Sequence, residues 1–288
     1  MTEGLGRDRR RRRSQIALTG VVLGALGAVA IASGAAQTKT AEITLAPGEL
    51  GTASAKCKRG RQATSGGFNV PGFTADTEIF VLATASVRKG RRTWSSSAEN
   101  APTSPSSGKL VDFAYCSRGI RRVTTNTERS TSVPNGGLES LTPRCPRGSE
   151  AVSGGFETPG NAQNQVAVFE SRRIKDRTWR VTGQGTSGSE ARLNAFVYCA
   201  EDKLGLSVKR ASDSTSQDNT DLAATARCKK GQRAVSGGFA MKGAGAYVTV
   251  FRSRRARARS WKAAAANYSG DDPVTWSAYA YCLEKGGA

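Results

Sequence analysis

The sequence predicts an all-β protein made of three copies of one disulfide-linked unit. A twelve-residue motif that runs from Cys to Gly-Gly-Phe occurs three times, and each copy later closes on Tyr-Cys. No stretch after residue 36 keeps a helical period, whereas short β-branched and aromatic runs recur between turn-rich segments. We therefore expect three tandem β-sandwich or barrel-like repeats, each of roughly 80 residues.

The composition excludes several kinds of active site. The chain has 288 residues, a net charge of +20 and no histidine. Without histidine there is no Ser-His-Asp or Cys-His pair and no imidazole metal site. At 38% hydrophobic residues the chain can still bury a core.

The first 36 residues are predicted to direct export. Arg7 and Arg9–Arg13 precede Ile16–Ala36, which has no charge and consists mostly of small and aliphatic residues. This is the layout of a signal peptide, and the same stretch is also long enough to be an N-terminal membrane anchor. Under either interpretation the rest of the chain is secreted or held on the outer face of the plasma membrane.

The repeat boundaries follow from landmarks that stay in register. Each repeat opens with the Cys motif: Cys57–Phe68, Cys145–Phe156 and Cys228–Phe239. A Ser and a Trp eight residues apart follow: Ser86/Trp94, Ser171/Trp179 and Ser253/Trp261. Each repeat closes on Tyr-Cys: Tyr115-Cys116, Tyr198-Cys199 and Tyr281-Cys282. We divide the chain into residues 37–116 (repeat 1), 117–199 (repeat 2) and 200–288 (repeat 3). The repeats are either separate beads or packed about a pseudo-threefold axis. Two polar, turn-rich stretches, 134–137 and 212–219, are predicted to be loops that lie between the units.

The cysteines are predicted to form one disulfide within each repeat. Repeat symmetry selects Cys57–Cys116, Cys145–Cys199 and Cys228–Cys282 from the fifteen connectivities of six cysteines. Closing loops of this size contributes about 4 kcal/mol each in the chain-entropy model. A zinc site needs about four thiolates and each repeat has two, so no metal and no other cofactor is expected.

Positive charge concentrates at one equivalent place in each repeat. The three nine-residue Ser-to-Trp segments together carry a net charge of +11. Each is predicted to form a hairpin, and the polyanion-binding candidates at the tips are Arg88, Lys89, Arg91, Arg92, Arg172, Arg173, Lys175, Arg177, Arg254, Arg255, Arg257 and Arg259. Arginine suits phosphate, sulfate or carboxylate because its planar fork makes paired hydrogen bonds. The alternative is that charged tips only keep the protein soluble and protect its sheet edges.

The Ser-Gly-Gly-Phe element and the single Trp of each Ser-to-Trp segment are interpreted as structural. Glycines within a strand mark a bulge or the close packing of another strand or ring. The alternatives are an anion nest of backbone N–H groups for the glycines and a ligand platform for the indole.

The pattern Cys-x2-Gly-x5-Gly-Gly-Phe, followed by Ser, Trp and Tyr-Cys, resembles repeats in exported proteins of high-GC Gram-positive bacteria and in some tail-fibre-like proteins. The resemblance covers nearly all of residues 50–285. It implies an exported, disulfide-linked β-module and no specific activity.

The sequence leaves three functions open. The leading hypothesis is a non-enzymatic exported or cell-surface protein that binds an anionic polymer of the cell envelope, or another polyanion, through the hairpin tips. The second is a structural or adhesive surface protein with protein partners. The third is a carboxylate-based cell-wall hydrolase, which is disfavoured because the acidic residues do not recur with the repeats.

Overall fold

The computed structural model describes residues 37–77, 81–120, 122–130, 132–159, 166–186, 191–243, 248–268, 270 and 272–284. The predicted signal peptide or membrane anchor, residues 1–36, lies outside the described residues. Within the described ranges no helix is long and apolar enough to cross a membrane.

The described part of the chain is all-β, as predicted, and each repeat contributes six strands. Repeat 1 contains β1 (Gln37–Leu45), β2 (Leu50–Lys56), β3 (Gln62–Asn69), β4 (Val81–Arg88), β5 (Thr93–Asn100) and β6 (Gly108–Ser117). Repeat 2 contains β7 (Val123–Arg129), β8 (Leu138–Leu141), β9 (Glu150–Glu157), β10 (Val166–Lys175), β11 (Thr178–Gly185) and β12 (Asn194–Ala200). Repeat 3 contains β13 (Ser207–Thr215), β14 (Thr220–Arg227), β15 (Gln232–Lys242), β16 (Val248–Arg257), β17 (Ser260–Asn267) and β18 (Val274–Glu284).

Each repeat is a sandwich of two three-stranded layers. Layer A consists of the first, sixth and third strands in that order, and layer B of the fourth, fifth and second strands. The two layers enclose the Trp of the fifth strand, which is 1% exposed in all three repeats. The predicted disulfides are confirmed: each joins a Cys that follows the second strand, directly in repeats 1 and 3 and four residues on in repeat 2, to a Cys in the sixth strand. Three disulfides indicate an oxidising environment.

The repeats are not separate beads, because each sheet is shared between two of them. Layer B of one repeat pairs edge to edge with layer A of the next, through β4–β9 and β10–β15, and β16 of repeat 3 returns to β3 of repeat 1. Each junction is a two-residue antiparallel ladder that sets the Ser of the fourth strand opposite the Phe of the third. This cyclic order arranges the three repeats about a pseudo-threefold axis.

The two glycines of Ser-Gly-Gly-Phe make this arrangement possible. A Cβ atom on Gly66 would lie 2.1 Å from the Trp94 ring of the same repeat. A Cβ atom on Gly67 would lie 2.1 Å from the carbonyl oxygen of Ser253 in repeat 3. The same two clashes recur in repeats 2 and 3, so the first glycine admits the repeat's own indole and the second admits the neighbouring strand. The structural interpretation of this element is confirmed.

The recurring Ser, Trp and Tyr of each repeat take part in two hydrogen bonds, one within the repeat and one between repeats. The indole N–H of Trp94 donates to Ser86 Oγ at 2.9 Å, and the equivalent pairs in repeats 2 and 3 are at 3.0 and 3.1 Å. The Tyr of each Tyr-Cys pair crosses to another repeat, where its hydroxyl accepts a backbone N–H two residues after that Ser. The three bonds are Arg88 N to Tyr198 (2.7 Å), Arg173 N to Tyr281 (2.6 Å) and Arg255 N to Tyr115 (2.7 Å).

One predicted loop is wrong in part. Residues 212–215 belong to β13, which pairs with β18 along its whole length, and the turn is confined to the residues after Thr215. Positions along this edge strand alternate between half-buried and exposed, and residues 212–215 are Ser, Asp, Ser and Thr, so the composition of this part is typical of a loop. The stretch 134–137 does form a turn, in which Gly137 N–H donates to Pro134 O.

Removing one of the tyrosine hydroxyls should destabilise the whole ring. Tyr281→Phe leaves the buried Arg173 N–H without its acceptor, so we expect a loss of about 1–3 kcal/mol in the free energy of unfolding. Chemical denaturation followed by both tryptophan fluorescence and circular dichroism measures this loss, and the two probes should give one coincident transition because the sheets are shared.

Tyr279→Phe is the matched control, since the Tyr279 hydroxyl makes no hydrogen bond to the residues described. It should change stability by less than about 0.5 kcal/mol. Three separate transitions would contradict the shared-sheet architecture. Equal effects of the two variants would contradict the stabilising role of the hydrogen bond between Tyr281 and Arg173.

Candidate anion-binding surface

The three predicted basic hairpins are present. They turn at residues 89–92, 176–177 and 258–259, between the fourth and fifth strands of each repeat. The Cys-x-x-Gly loop lies beside each turn, because the N–H groups of Cys57, Cys145 and Cys228 donate to the carbonyls of Arg92, Arg177 and Arg259 at 2.7–2.8 Å. We call the surface formed by the three turns and these loops the tip end.

The pseudo-threefold arrangement puts the three tips at one end of the molecule. The third strands contact one another at two levels: Ser65 Oγ donates to Val235 O at 2.5 Å, and three residues further on Phe68 packs on Phe156 at 6.3 Å. Because the third strands are in contact both at Ser65 and three residues further on at Phe68, they run side by side along the axis. Since rotation keeps equivalent elements at equal height, all three turns lie where the third strands begin.

Three of the twelve candidate cations are part of the fold. Arg88, Arg173 and Arg255 each follow the Ser of the Ser-Trp pair by two residues and reach across to another repeat or to the segment leading to one. Arg88 donates to Val123 O at 2.8 Å, Arg173 to Leu206 O at 2.7 Å and Arg255 to Thr38 Oγ1 at 2.7 Å. Arg173 also forms a buried ion pair with Glu150 at 2.6 Å. These three side chains hold repeats together.

Four further candidates are half-buried: Arg92, Arg172, Arg177 and Arg254. Arg172 is paired with Glu170 at 2.6 Å, and Arg177 donates to Cys145 O at 3.3 Å. The Arg254 guanidinium lies over the Phe113 ring at 5.5 Å from its centroid.

The remaining five candidates are exposed at the turns: Lys89, Arg91, Lys175, Arg257 and Arg259. Lys89 makes a solvent-exposed ion pair with Glu157 at 3.0 Å, a contact of small stabilising effect. The other four form no ion pair with any residue in the described ranges. They are the candidates whose charge is available to a ligand.

The tip end carries further cations, in addition to the twelve predicted candidates. The Cys-x-x-Gly loops add the exposed side chains of Lys58, Arg59, Arg147, Lys229 and Lys230. They belong to the repeated Cys motif itself, so their recurrence was a usable signal, but their proximity to the hairpins becomes evident only from the backbone pairing.

Two small clefts at the tip end have basic walls. One of about 190 Å³ in repeat 3 is lined by Arg227, Arg257 and Arg259. Another of about 250 Å³, between repeat 1 and the first residues of repeat 2, is lined by four arginines, among them Arg91; we call it the repeat 1 cleft. No three His, Cys, Asp or Glu side chains in the described ranges meet in a way that could hold a metal ion.

The fold and this surface define a disulfide-stapled β-protein of three repeats with a basic end. No family model matches the chain, and no curated protein matches it either. The resemblance to exported bacterial repeat proteins therefore stays a prediction.

At one core position of the sixth strand, repeat 1 has a carboxyl group where the other two repeats have alanine. Asp112 is fully buried, where it accepts hydrogen bonds from Ala55 N at 2.8 Å and Ser96 Oγ at 2.6 Å. The equivalent residues in repeats 2 and 3 are Ala195 and Ala278. Burial raises the pKa of Asp112 to about 7, although the hydrogen bonds oppose the shift. Because it is enclosed between the layers, Asp112 is a determinant of stability and not a surface catalyst.

This carboxyl should make the stability of the protein fall as pH rises. Its pKa is near 3.9 in the unfolded chain and about 7 in the folded one, so its contribution is full below about pH 4 and lost between about pH 4 and 7. Relative to Asp112→Asn, the wild type should lose on the order of 3–4 kcal/mol over this range. Urea denaturation of both proteins at several pH values measures the difference, and parallel pH profiles would refute it.

Proposed function

We propose that this protein is a non-enzymatic exported or cell-surface protein that binds an anionic polymer through its tip end. The proposal rests on one observation above all: Arg91, Lys175, Arg257 and Arg259 belong to three different repeats, are exposed at the same end, and form no ion pair with the residues described. Export is supported by the disulfides and by the predicted signal or anchor in residues 1–36.

Multivalency supports a polymer as the ligand. Three basic turns around one axis present repeated charge to a chain of repeated anionic groups. Linking weak sites in one rigid body raises the overall affinity by about a hundredfold or more when all can be engaged together. The flanking cations of the Cys-x-x-Gly loops enlarge the positive surface on which such a chain would lie.

A salt series tests this function. The disulfide-bonded full chain is titrated with duplex DNA as a calibrating polyanion, since log K falls with log salt by about 0.9 for each phosphate neutralised. Changing Arg91, Lys175, Arg257 and Arg259 together to Ser should weaken binding at low salt and flatten this slope.

The control variant removes the same number of cations from the opposite end of the strands. Its four changes are Lys109→Ser, Arg129→Ser, Arg192→Ser and Lys242→Ser, all at exposed positions. The same net charge with an unchanged slope would assign binding to the tip end. Equal effects of both variants would show that binding depends on net charge alone and not on the tip end. No binding by the folded wild type at low salt would refute the function and favour protein partners.

A further inference from the structure

The 250 Å³ cleft in repeat 1 has an unusually basic lining. It lies between the β4–β5 turn, the start of β3 and the segment that leads into repeat 2. Four arginines line it, Arg61, Arg91, Arg118 and Arg122, together with the polar side chains of Gln62 and Ser117. Among the described residues no acid lines it. Arg122 makes a solvent-exposed ion pair with Glu201 at 3.6 Å.

A fifth guanidinium adjoins the cleft without a carboxylate partner. The neutral oxygens that Arg88 bonds are Val123 O at 2.8 Å, Arg91 O at 3.2 Å and Gln62 Oε1 at 3.5 Å. Its Nε is buried without a hydrogen-bond partner among the residues described. Burial lowers the pKa of Arg88, and the charge of Arg91 lowers it further. A cation desolvated in this way gains from a nearby anion.

In repeat 2 the equivalent cleft contains acidic residues that balance the positive charge. There Arg173, the counterpart of Arg88, pairs at 2.6 Å with Glu150, the counterpart of Gln62. The corresponding cleft of about 310 Å³ is lined by Glu150 and Asp176 as well as Arg177 and Lys203. Repeat 1 thus has Gln where repeat 2 has Glu, and a lining of one sign where repeat 2 has both signs.

The backbone of the repeat 1 cleft is fixed by its own hydrogen bonds. Ser117 Oγ accepts N–H bonds from Gly119 at 3.2 Å and Ile120 at 3.4 Å, and the Gln62 amide donates to Ile120 O. Arg122 has a left-handed backbone with φ of 40°. A wall that is ordered before binding avoids part of the entropy cost of holding a ligand.

We propose that this cleft binds one tetrahedral oxyanion group, a phosphate or sulfate ester, while the equivalent cleft of repeat 2 does not. Arginine is suited to this ligand because its fork makes two parallel hydrogen bonds to neighbouring oxygens. The inference deepens the proposed function: the anionic polymer would place one of its ester groups here, and the flanking turns would contact the rest.

Calorimetric titration of the full chain with inorganic phosphate, sulfate and acetate tests the cleft without any polymer. Phosphate, sulfate or both should bind at one site and acetate should not, and comparing the first two identifies which ester the site prefers. Gln62→Glu supplies Arg88 with the carboxylate found in repeat 2, and it should weaken binding at least about tenfold. Arg118→Ser with Arg122→Ser should do the same, and both of these side chains are exposed, so folding is retained.

The control is Lys203→Ser, which removes a cation from the repeat 2 cleft and should leave binding unchanged. Absence of phosphate and sulfate binding by the wild type, or wild-type affinity in Gln62→Glu and in the double arginine variant, overturns the cleft assignment. Failure of the polymer titration alongside intact, variant-sensitive phosphate binding would instead refute the proposed function and leave the cleft in place.

Discussion

The structure depends on an edge-to-edge junction between repeats. Each sandwich has an open edge on its third strand and another on its fourth, and each is closed by the neighbouring repeat. Antiparallel pairing covers two residues at every junction. The Tyr hydroxyl, the Ser of Ser-Gly-Gly-Phe, the packed Phe rings and the crossing arginines add further contacts. The second glycine lets the strands come this close because it has no Cβ. Any side chain larger than hydrogen at this glycine would meet the neighbour's backbone.

The same junction decides which cations face solvent. Near the end of the fourth strand one arginine reaches the adjoining repeat or linker, where its guanidinium is hydrogen-bonded to backbone carbonyls or paired with a buried acid. At the turn itself, Arg91, Lys175, Arg257 and Arg259 form no ion pair with any described residue and remain exposed. The basic end is therefore a by-product of how the hairpin is anchored: the anchor holds the turn in place, and the turn displays the rest of the charge.

Recurrence within the chain made much of this fold predictable, because symmetry selected the disulfides and spacing linked each Ser to its Trp. The cyclic sharing of sheets was not predictable, since nothing in Ser86 or Phe156 says which repeat supplies the partner strand. Arg88 and Arg91 are the same residue type three positions apart, and only the location of Val123 O separates a structural role from a free charge. The charge of the repeat 1 cleft depends on a difference that spacing does not reveal: Gln62 occupies the position that Glu150 occupies in repeat 2. Part of strand β13 has the composition of a loop, because an outer edge strand has no buried apolar face to impose its period.

Each repeat carries both halves of a complementary pair, a third-strand edge and a fourth-strand edge. A polypeptide of one repeat would therefore hold everything required to build the ring from three separate chains, with the symmetry of a cyclic homotrimer. In one chain the three copies need not be identical, and Asp112 and Gln62 occur at their positions in repeat 1 alone. A symmetric trimer would have three identical clefts, whereas the fused chain has one with a purely basic lining and one in which acids balance the bases.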